Sequence, residues 1–240
     1  MNILALETSN QAMSVAVMAD LEVLAEMTLN RKRTHSEQLM PTIDTLLQQS
    51  GLTVEDLNRI VVADGPGSYT GVRIAVTTGK TLAYTLGIDL VGVSSLAVLA
   101  ANIRDTSAVI VPVMDARRQN VFAGGYQWQA GQLINVLADQ HTSLTQLLTA
   151  LKLLQQPVIF VGPDAPKFQQ DIFATLGNLA HIADPISQLP QASRAGELGM
   201  TVQPVSVFDF VPRYLRLTEA ETNWLKTHDE RGHRPYVEKV

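Results

Sequence analysis

The stretch NILALETSNQAMSVAVMADLEVLAEMTL, residues 2–29, decides the fold. Asn2 to Glu7 and Met13 to Ala19 are short apolar β-type runs, and the TSNQ between them is a hairpin signal. A third run, Glu22 to Leu29, follows a turn at Asp20. Downstream, HSEQLMPTIDTLLQQSG places Leu39, Ile43, Leu46 and Leu47 on one helical face and closes at Gly51. Pro41 falls early in that pattern, so the helix is expected to begin near Gln38 or to kink there. Thr53 suits the N-cap of a short turn, with Asp56 in the capping-box position. RIVVAD reads as a buried strand, and Tyr69 to Leu86 as a long helix. The stripe of that helix is Val72, Ala75, Val76, Gly79, Ala83 and Leu86, with Arg73, Thr77, Lys80 and Tyr84 on another side. DLVGV is a further strand, and Ser94 caps a helix expected to reach about Arg104.

A second block begins near Asp105, with strands expected at Ala108 to Met114, Asn120 to Trp128 and Leu133 to Ala138. Thr142 or Ser143 then caps a helix that turns Leu144, Leu147, Leu148 and Leu151 inward. Val158 to Val161 is a strand, followed by a helix carrying Phe168, Ile172 and Phe173 and another near Ala192 to Val202. Three strands and then helix–strand alternation, twice over, predict two mixed α/β lobes. The expected division is residues 1–104, residues 105–217, and a C-terminal segment at 218–240 with little apolar content.

The net charge is −5, and the basic clusters at Arg31 to Arg33 and at Arg117 and Arg118 are short. Direct counterion-driven binding of nucleic acid needs more clustered cation than this, so any contact with nucleic acid is expected through a partner. The absence of cysteine excludes disulfides, thiolate metal sites and cysteine nucleophiles, and fits a reducing cytoplasm. No apolar run approaches the roughly 18 residues of a membrane span, and MNILALETSN lacks signal-peptide features.

DGPGSYTGVRIAVTTGKT, residues 64–81, looks at first like a nucleotide loop. A P-loop needs glycine five residues before the Gly-Lys pair, and Ile74 occupies that position. The GKT also falls in mid-helix, where its amides are already bonded. Gly65 and Gly67 around Pro66, with Ser68 as cap, make either an anion site at a helix start or a tight strand-to-helix joint. No general base adjoins Ser68 or Thr70, and the motif is not Gly-x-Ser-x-Gly. The histidines, at 35, 141, 181, 228 and 233, form no helical pair and no HExxH, so no metal site is expected. Asp115 with Arg117 and Arg118 marks a strand end, either a salt-bridged turn or a functional cluster.

Several segments closely resemble the bacterial TsaB (YeaZ) family of actin-like proteins, of the ASKHA, ribonuclease H-like type. They are ILALETSNQAMSVAV, HSEQLMPTIDTLL, DGPGSYTGVRIAVTTGKTLA, VGVSSLAVLA, PVMDARRQNVF and VPRYLR, in the family's order. The N-terminal half carries most of the likeness. The resemblance implies a non-catalytic paralogue of TsaD, the subunit that transfers threonylcarbamoyl to the adenosine beside the anticodon of tRNAs reading ANN codons. It implies TsaD and the ATPase TsaE as partners, and a homodimer in the absence of TsaD. It further implies that the helices bearing Leu39, Ile43, Leu46, Leu47, Val72, Arg73, Val76 and Lys80 pack across the subunit interface, while periodicity alone does not separate the interface residues of these stripes from those of the lobe core. TsaD-type proteins carry a His-x-x-x-His metal pair where this chain has Ser95 and Leu99, and neither of those can serve as its ligand. No resident cofactor is expected, with ATP or ADP at the subunit junction left open. The competing reading is an actin-like phosphotransferase or ATPase with Glu7, Thr8, Ser9, Gly65 and Gly67 near phosphate. ETS lacks the glycine of the usual phosphate-binding turn, which weakens that reading. A metallopeptidase would need a metal site that the sequence does not offer.

Overall fold

The computed structural model describes residues 1–31 and 34–216. Strands β1 (Asn2–Glu7), β2 (Met13–Ala19) and β3 (Glu22–Leu29) form successive antiparallel hairpins. Helix α1 (His35–Gln49) leads to β4 (Arg59–Ala63), α2 (Tyr69–Leu86), β5 (Asp89–Val93) and α3 (Ser95–Ala100). β1, β4 and β5 are parallel, giving the order β3-β2-β1-β4-β5.

The second half repeats the plan. Strands β6 (Val109–Asp115), β7 (Asn120–Gln129) and β8 (Gln132–Ser143) are antiparallel. Helix α4 (Leu144–Leu154), β9 (Val158–Val161), α5 (Gln169–Leu176), β10 (Ala180–Ile182) and α6 (Ala192–Gly199) follow. Read from its β8 edge, this sheet runs β8-β7-β6-β9-β10, so each lobe has its third, second, first, fourth and fifth strand in the same spatial order. β6, β9 and β10 are parallel, as their counterparts are in the first lobe. This is the ribonuclease H-like topology twice, the actin-like architecture.

The layers explain the hydrophobic pattern. β1 and β4 are buried on both faces and therefore read as unbroken apolar runs. α1 and α2 cover one face of the first sheet, where Leu39, Ile43, Leu46, Leu47, Val72 and Val76 meet Leu4, Leu6, Val15, Val17 and Ile60. α4 and α5 cover the outer face of the second sheet in the same way. The middle layer is exchanged between lobes. α3 follows the first sheet in sequence but packs Leu96, Leu99 and Ala100 against Ile110, Met114 and Tyr126 of the second. α6 follows the second sheet but packs Ala192 and Ala195 against Ile3, Ala5, Ala16 and Val61 of the first.

Both ends of α6 are matched by side chains of the first lobe. Glu26 accepts from the Ser193 amide and hydroxyl, each at 2.9 Å, and Ser14 accepts from the Ala192 amide. At the other end the Arg59 guanidinium donates to the carbonyls of Gly199, Met200 and Val202. An acid at the helix start and a cation at its end complement the helix dipole. Gly196 and Gly199 let the helix lie close, because a Cβ there would fall 2.3 Å from Met18 Sδ or 2.5 Å from Val61.

Several boundaries differ from expectation for local reasons. α1 starts at His35 and continues through Pro41. The proline leaves the Glu37 carbonyl without an amide partner, but both residues are exposed and water can satisfy it. α3 ends at Ala100 rather than near Arg104, since Asn102 is drawn away to the carbonyls of Ser187 and Leu189. β8 extends past Ala138 to Ser143, where polar Asp139 and His141 continue the pairing with β7. α6 stops at Gly199 rather than Val202. The expected helix around Phe168 begins as a 3₁₀ turn, and Phe173 is exposed while Phe168 and Ile172 are buried. The three-residue β10 was too short to stand out in sequence. The segment 218–240, with His228 and His233, lies outside the described residues, as do Lys32 and Arg33 of the first basic cluster.

Candidate functional site between the lobes

A cleft of about 590 Å³ opens where the two lobes meet. Its walls are the β1–β2 turn (Ser9 to Gln11), the loop into α2 (Pro66 to Thr70), the β6–β7 turn (Met114 to Arg117), and the strap Arg213 to Arg216. The strap continues a run that lies along the first lobe. Val205 donates to the Leu90 carbonyl, Phe210 is buried in the core beneath α2, and the Arg213 amide donates to the Asp64 carbonyl at 2.7 Å. Lys80 Nζ secures this run, donating to the carbonyls of Phe210 at 2.7 Å and Phe208 at 3.3 Å. Arg216 then reaches the second lobe and donates to the Ala116 carbonyl at 3.2 Å.

The structure gathers the phosphate-proximal candidates but does not set them all on the cleft. Ser9 and Gly67 line it; Glu7, Thr8 and Gly65 do not. Glu7 and Thr8 are wholly buried. Thr8 Oγ1 donates to the Gly71 carbonyl, and the Ser9 amide is held by Glu7 Oε1. The Ser9 carbonyl accepts from the Ser68 amide at 2.7 Å, so the hairpin turn is fastened to the start of α2. Gly67 permits this approach, because a Cβ would lie 2.4 Å from that carbonyl oxygen. Gly65, at φ 120°, adopts backbone favoured by glycine and joins Pro66 by a cis peptide. The loop is thus a tight joint, and the GKT lies in mid-helix, with Gly79 packed on Val62.

Burial raises the acids beneath this joint. Desolvation lifts the Glu7 carboxyl to about 7, against the lowering effect of its bonds from Ser9, and Asp64 adds a smaller push upward. Asp64 is raised to about 6 by burial, opposed by the Arg213 guanidinium 3.3 Å away. Glu7 Oε2 and Asp64 Oδ1 have no hydrogen-bond partner among the described residues. A second network ties the lobes: Ser94 Oγ and Tyr126 OH both donate to Asp139 at 2.5 Å, and Ser94 also caps α3. None of these hydroxyls has a histidine within the network, so no Ser–His nucleophile arrangement forms there.

The interface expectation needs correction. Leu39, Ile43, Leu46, Leu47, Val72 and Val76 are all buried in the first-lobe core and present no side chain for docking. Arg73 is exposed, and Lys80 is committed to the strap. The exposed strip over α2 is instead aromatic and basic. Tyr69 stacks on Tyr214 with centroids 5.2 Å apart, Arg73 donates to the Tyr69 hydroxyl, and Tyr84 meets Phe208 edge-on. Sequence periodicity found this helix but missed the strap residues that complete its surface.

Ser95 and Leu99 sit on α3, both fully buried. The Ser95 hydroxyl accepts from the Gly65 amide at 3.2 Å, and Leu99 packs into the inter-lobe core. Among the described residues no group of three or more His, Asp or Glu side chains is arranged to hold a metal.

Two duplicated ribonuclease H-like lobes with exchanged middle helices and a cleft between them define an actin-like protein. The profile of the tRNA N6-adenosine threonylcarbamoyltransferase family, TsaD, matches residues 22–224. The Bacillus subtilis tRNA threonylcarbamoyladenosine biosynthesis protein TsaB is 42% identical over 95% of this chain and 99% of its own length. The Escherichia coli TsaB is 33% identical over 53% of this chain and 55% of its own length. A Pseudomonas aeruginosa protein described as similar to peptidase YeaZ superposes with TM-score 0.78 at 25% identity, over 90% of this chain and 99% of that one. The chain belongs to the TsaB family, whose role lies in tRNA threonylcarbamoyladenosine biosynthesis. No helix among the described residues is long and apolar enough to cross a membrane.

Proposed function

We propose that this chain is a non-catalytic subunit of a tRNA threonylcarbamoyltransferase assembly, docking on TsaD and acting with TsaE, and meeting tRNA only through that complex. The observation that carries the reading is the chemistry of α3. Ser95 and Leu99 stand where TsaD-type proteins place their metal-binding histidines, and both side chains are enclosed in packing rather than turned to the cleft. A buried serine bonded to a backbone amide and a core leucine have no part in metal-assisted acyl transfer. The phosphotransferase alternative is weakened by the first hairpin, whose Ser9 amide is already bound to Glu7. The peptidase reading finds no nucleophile–base pair in the Ser94 network.

The docking face in this proposal is the exposed side of α1 and α2 with the strap. α1 carries Glu37 and Asp44 on its exposed side and no Lys or Arg, whereas α2 carries Arg73 and no acid. Such a face suits a partner of opposite pattern, and a two-fold axis laying α1 on α2 of a second copy would serve the homodimer in the absence of TsaD. R73E combined with Y84A is expected to weaken TsaD binding about tenfold or more in a titration, with the chain still folded. Unchanged affinity would move the interface elsewhere.

A further inference from the structure

Tyr69, Arg73, Lys80 and Tyr84 share one face of α2, since turns of about 100° per residue bring all four within a sector of about 60°. Three of them engage aromatic rings: Tyr69 stacks on Tyr214, Arg73 donates to the Tyr69 hydroxyl, and Tyr84 meets Phe208 edge-on. Of the four, Lys80 is the one that bonds the strap backbone, at the carbonyls of Phe208 and Phe210. We propose that Lys80 is a positioning residue for partner docking: it holds the strap turn that keeps Phe208 facing outward, and acts on the partner only through that ring. This rests on TsaD docking at the face formed by α1, α2 and the strap.

The strap needs such a restraint because it belongs to no helix or strand. Its backbone is fastened to the first lobe at Val205, whose amide donates to the Leu90 carbonyl, and at Arg213, whose amide donates to the Asp64 carbonyl. Between these points Val207 and Phe210 turn into the core, while Phe208 is 74% exposed and Val211 61%. A large ring held in water forgoes hydrophobic free energy, which it would regain by folding back onto apolar surface.

Two restraints oppose that collapse. The Phe210 amide donates to the Ser206 carbonyl at 3.1 Å, and Lys80 Nζ holds the carbonyls on either side of Asp209. A single ammonium fixes both carbonyls, so the two peptide groups cannot turn independently, and Phe208 stays out while Phe210 stays in. An ammonium has three donors, and its bonds to carbonyls are charge-assisted. Arg59 does the same at the end of α6, where it gathers the carbonyls of Gly199, Met200 and Val202.

A face assembled before the partner arrives spares the cost of ordering it on binding. Lys80 should therefore contribute to affinity, and its contribution should vanish once Phe208 is gone.

The test is titration of TsaD with the full chain and four variants, Lys80→Met, Lys80→Arg, Phe208→Ala and the double Lys80→Met/Phe208→Ala. Methionine keeps an apolar stem on α2 and removes the donor, whereas arginine restores a donor to the carbonyls. Phe208→Ala and Lys80→Met are each expected to weaken binding about tenfold, the double variant to be within about threefold of either, and Lys80→Arg within about threefold of the parent. Hydrogen exchange at the Phe210 amide should quicken about tenfold or more in Lys80→Met and return toward the parent rate in Lys80→Arg. Parent affinity in Lys80→Met, an equal loss in Lys80→Arg, or losses that multiply to about a hundredfold in the double variant would overturn the proposal alone. Parent affinity in both Phe208→Ala and the combined R73E and Y84A chain would remove the docking face itself, and the proposal with it.

Discussion

Leu46→Asp is expected to unfold the first lobe rather than to weaken docking. Leu46 is 2% exposed and packs with Leu39, Ile43 and Val62 between α1 and the first sheet. The substitution removes a buried apolar side chain, worth about 2–3 kcal/mol, and places a carboxylate where no cation is at hand. The combined loss, roughly 4 kcal/mol or more, is a large share of the 5–15 kcal/mol that holds a typical domain together. Urea unfolding followed by circular dichroism checks this, and Val76→Glu on α2 should behave alike because Val76 occupies the same core. A folded Leu46→Asp chain of unaltered midpoint would mean that this side of α1 is free surface.

Glu7→Gln is expected to stabilise the protein, and to do so only toward higher pH. Burial raises the Glu7 carboxyl from 4.5 to about 7 in the folded chain. Below about pH 3.5 the group is protonated in both states, and its protonation state does not bear on stability. As pH rises from there toward 7, the unfolded chain releases the proton while the folded chain retains it, so stability falls. Above pH 7 the loss levels off at about 3 kcal/mol. Glutamine keeps an oxygen for the Ser9 amide and does not titrate. Urea midpoints should therefore be similar for variant and parent at about pH 3.5 and separate in the variant's favour at pH 8. Asp64, raised to about 6, leaves a residual slope in the variant. Equal separation at both pH values would show that Glu7 is not a buried acid held neutral.

The architecture was largely legible because its signals are local. The hairpin turns of residues 2–29, the stripe of α2 and the Ser94 and Ser143 caps all depend on neighbours within a few residues, and each stands where the sequence put it. The exchange of α3 and α6 was not legible. Glu26 and Arg59, which fix α6 on the first sheet, lie more than a hundred residues from it, and no local pattern announces such a bond. The division of the α1 and α2 stripes between core and interface was not legible for a different reason. Periodicity shows that Leu39, Ile43, Leu46 and Leu47 share a face, but a face turned to its own sheet and one turned to a partner have the same period. Of the cleft, the turn at Asp115–Arg118 was visible as a cluster at a strand end. Its companions Arg213 and Arg216 come from a strap without regular structure, which carries no periodic signal at all.

Reconstituted transfer of threonylcarbamoyl to a tRNA reading ANN codons, with this chain, TsaD and TsaE each omitted in turn, tests the central claim most directly. The account predicts no transfer by this chain alone, and transfer by TsaD with TsaE that depends on adding it. Transfer by the chain alone, or full transfer without it, would contradict the account.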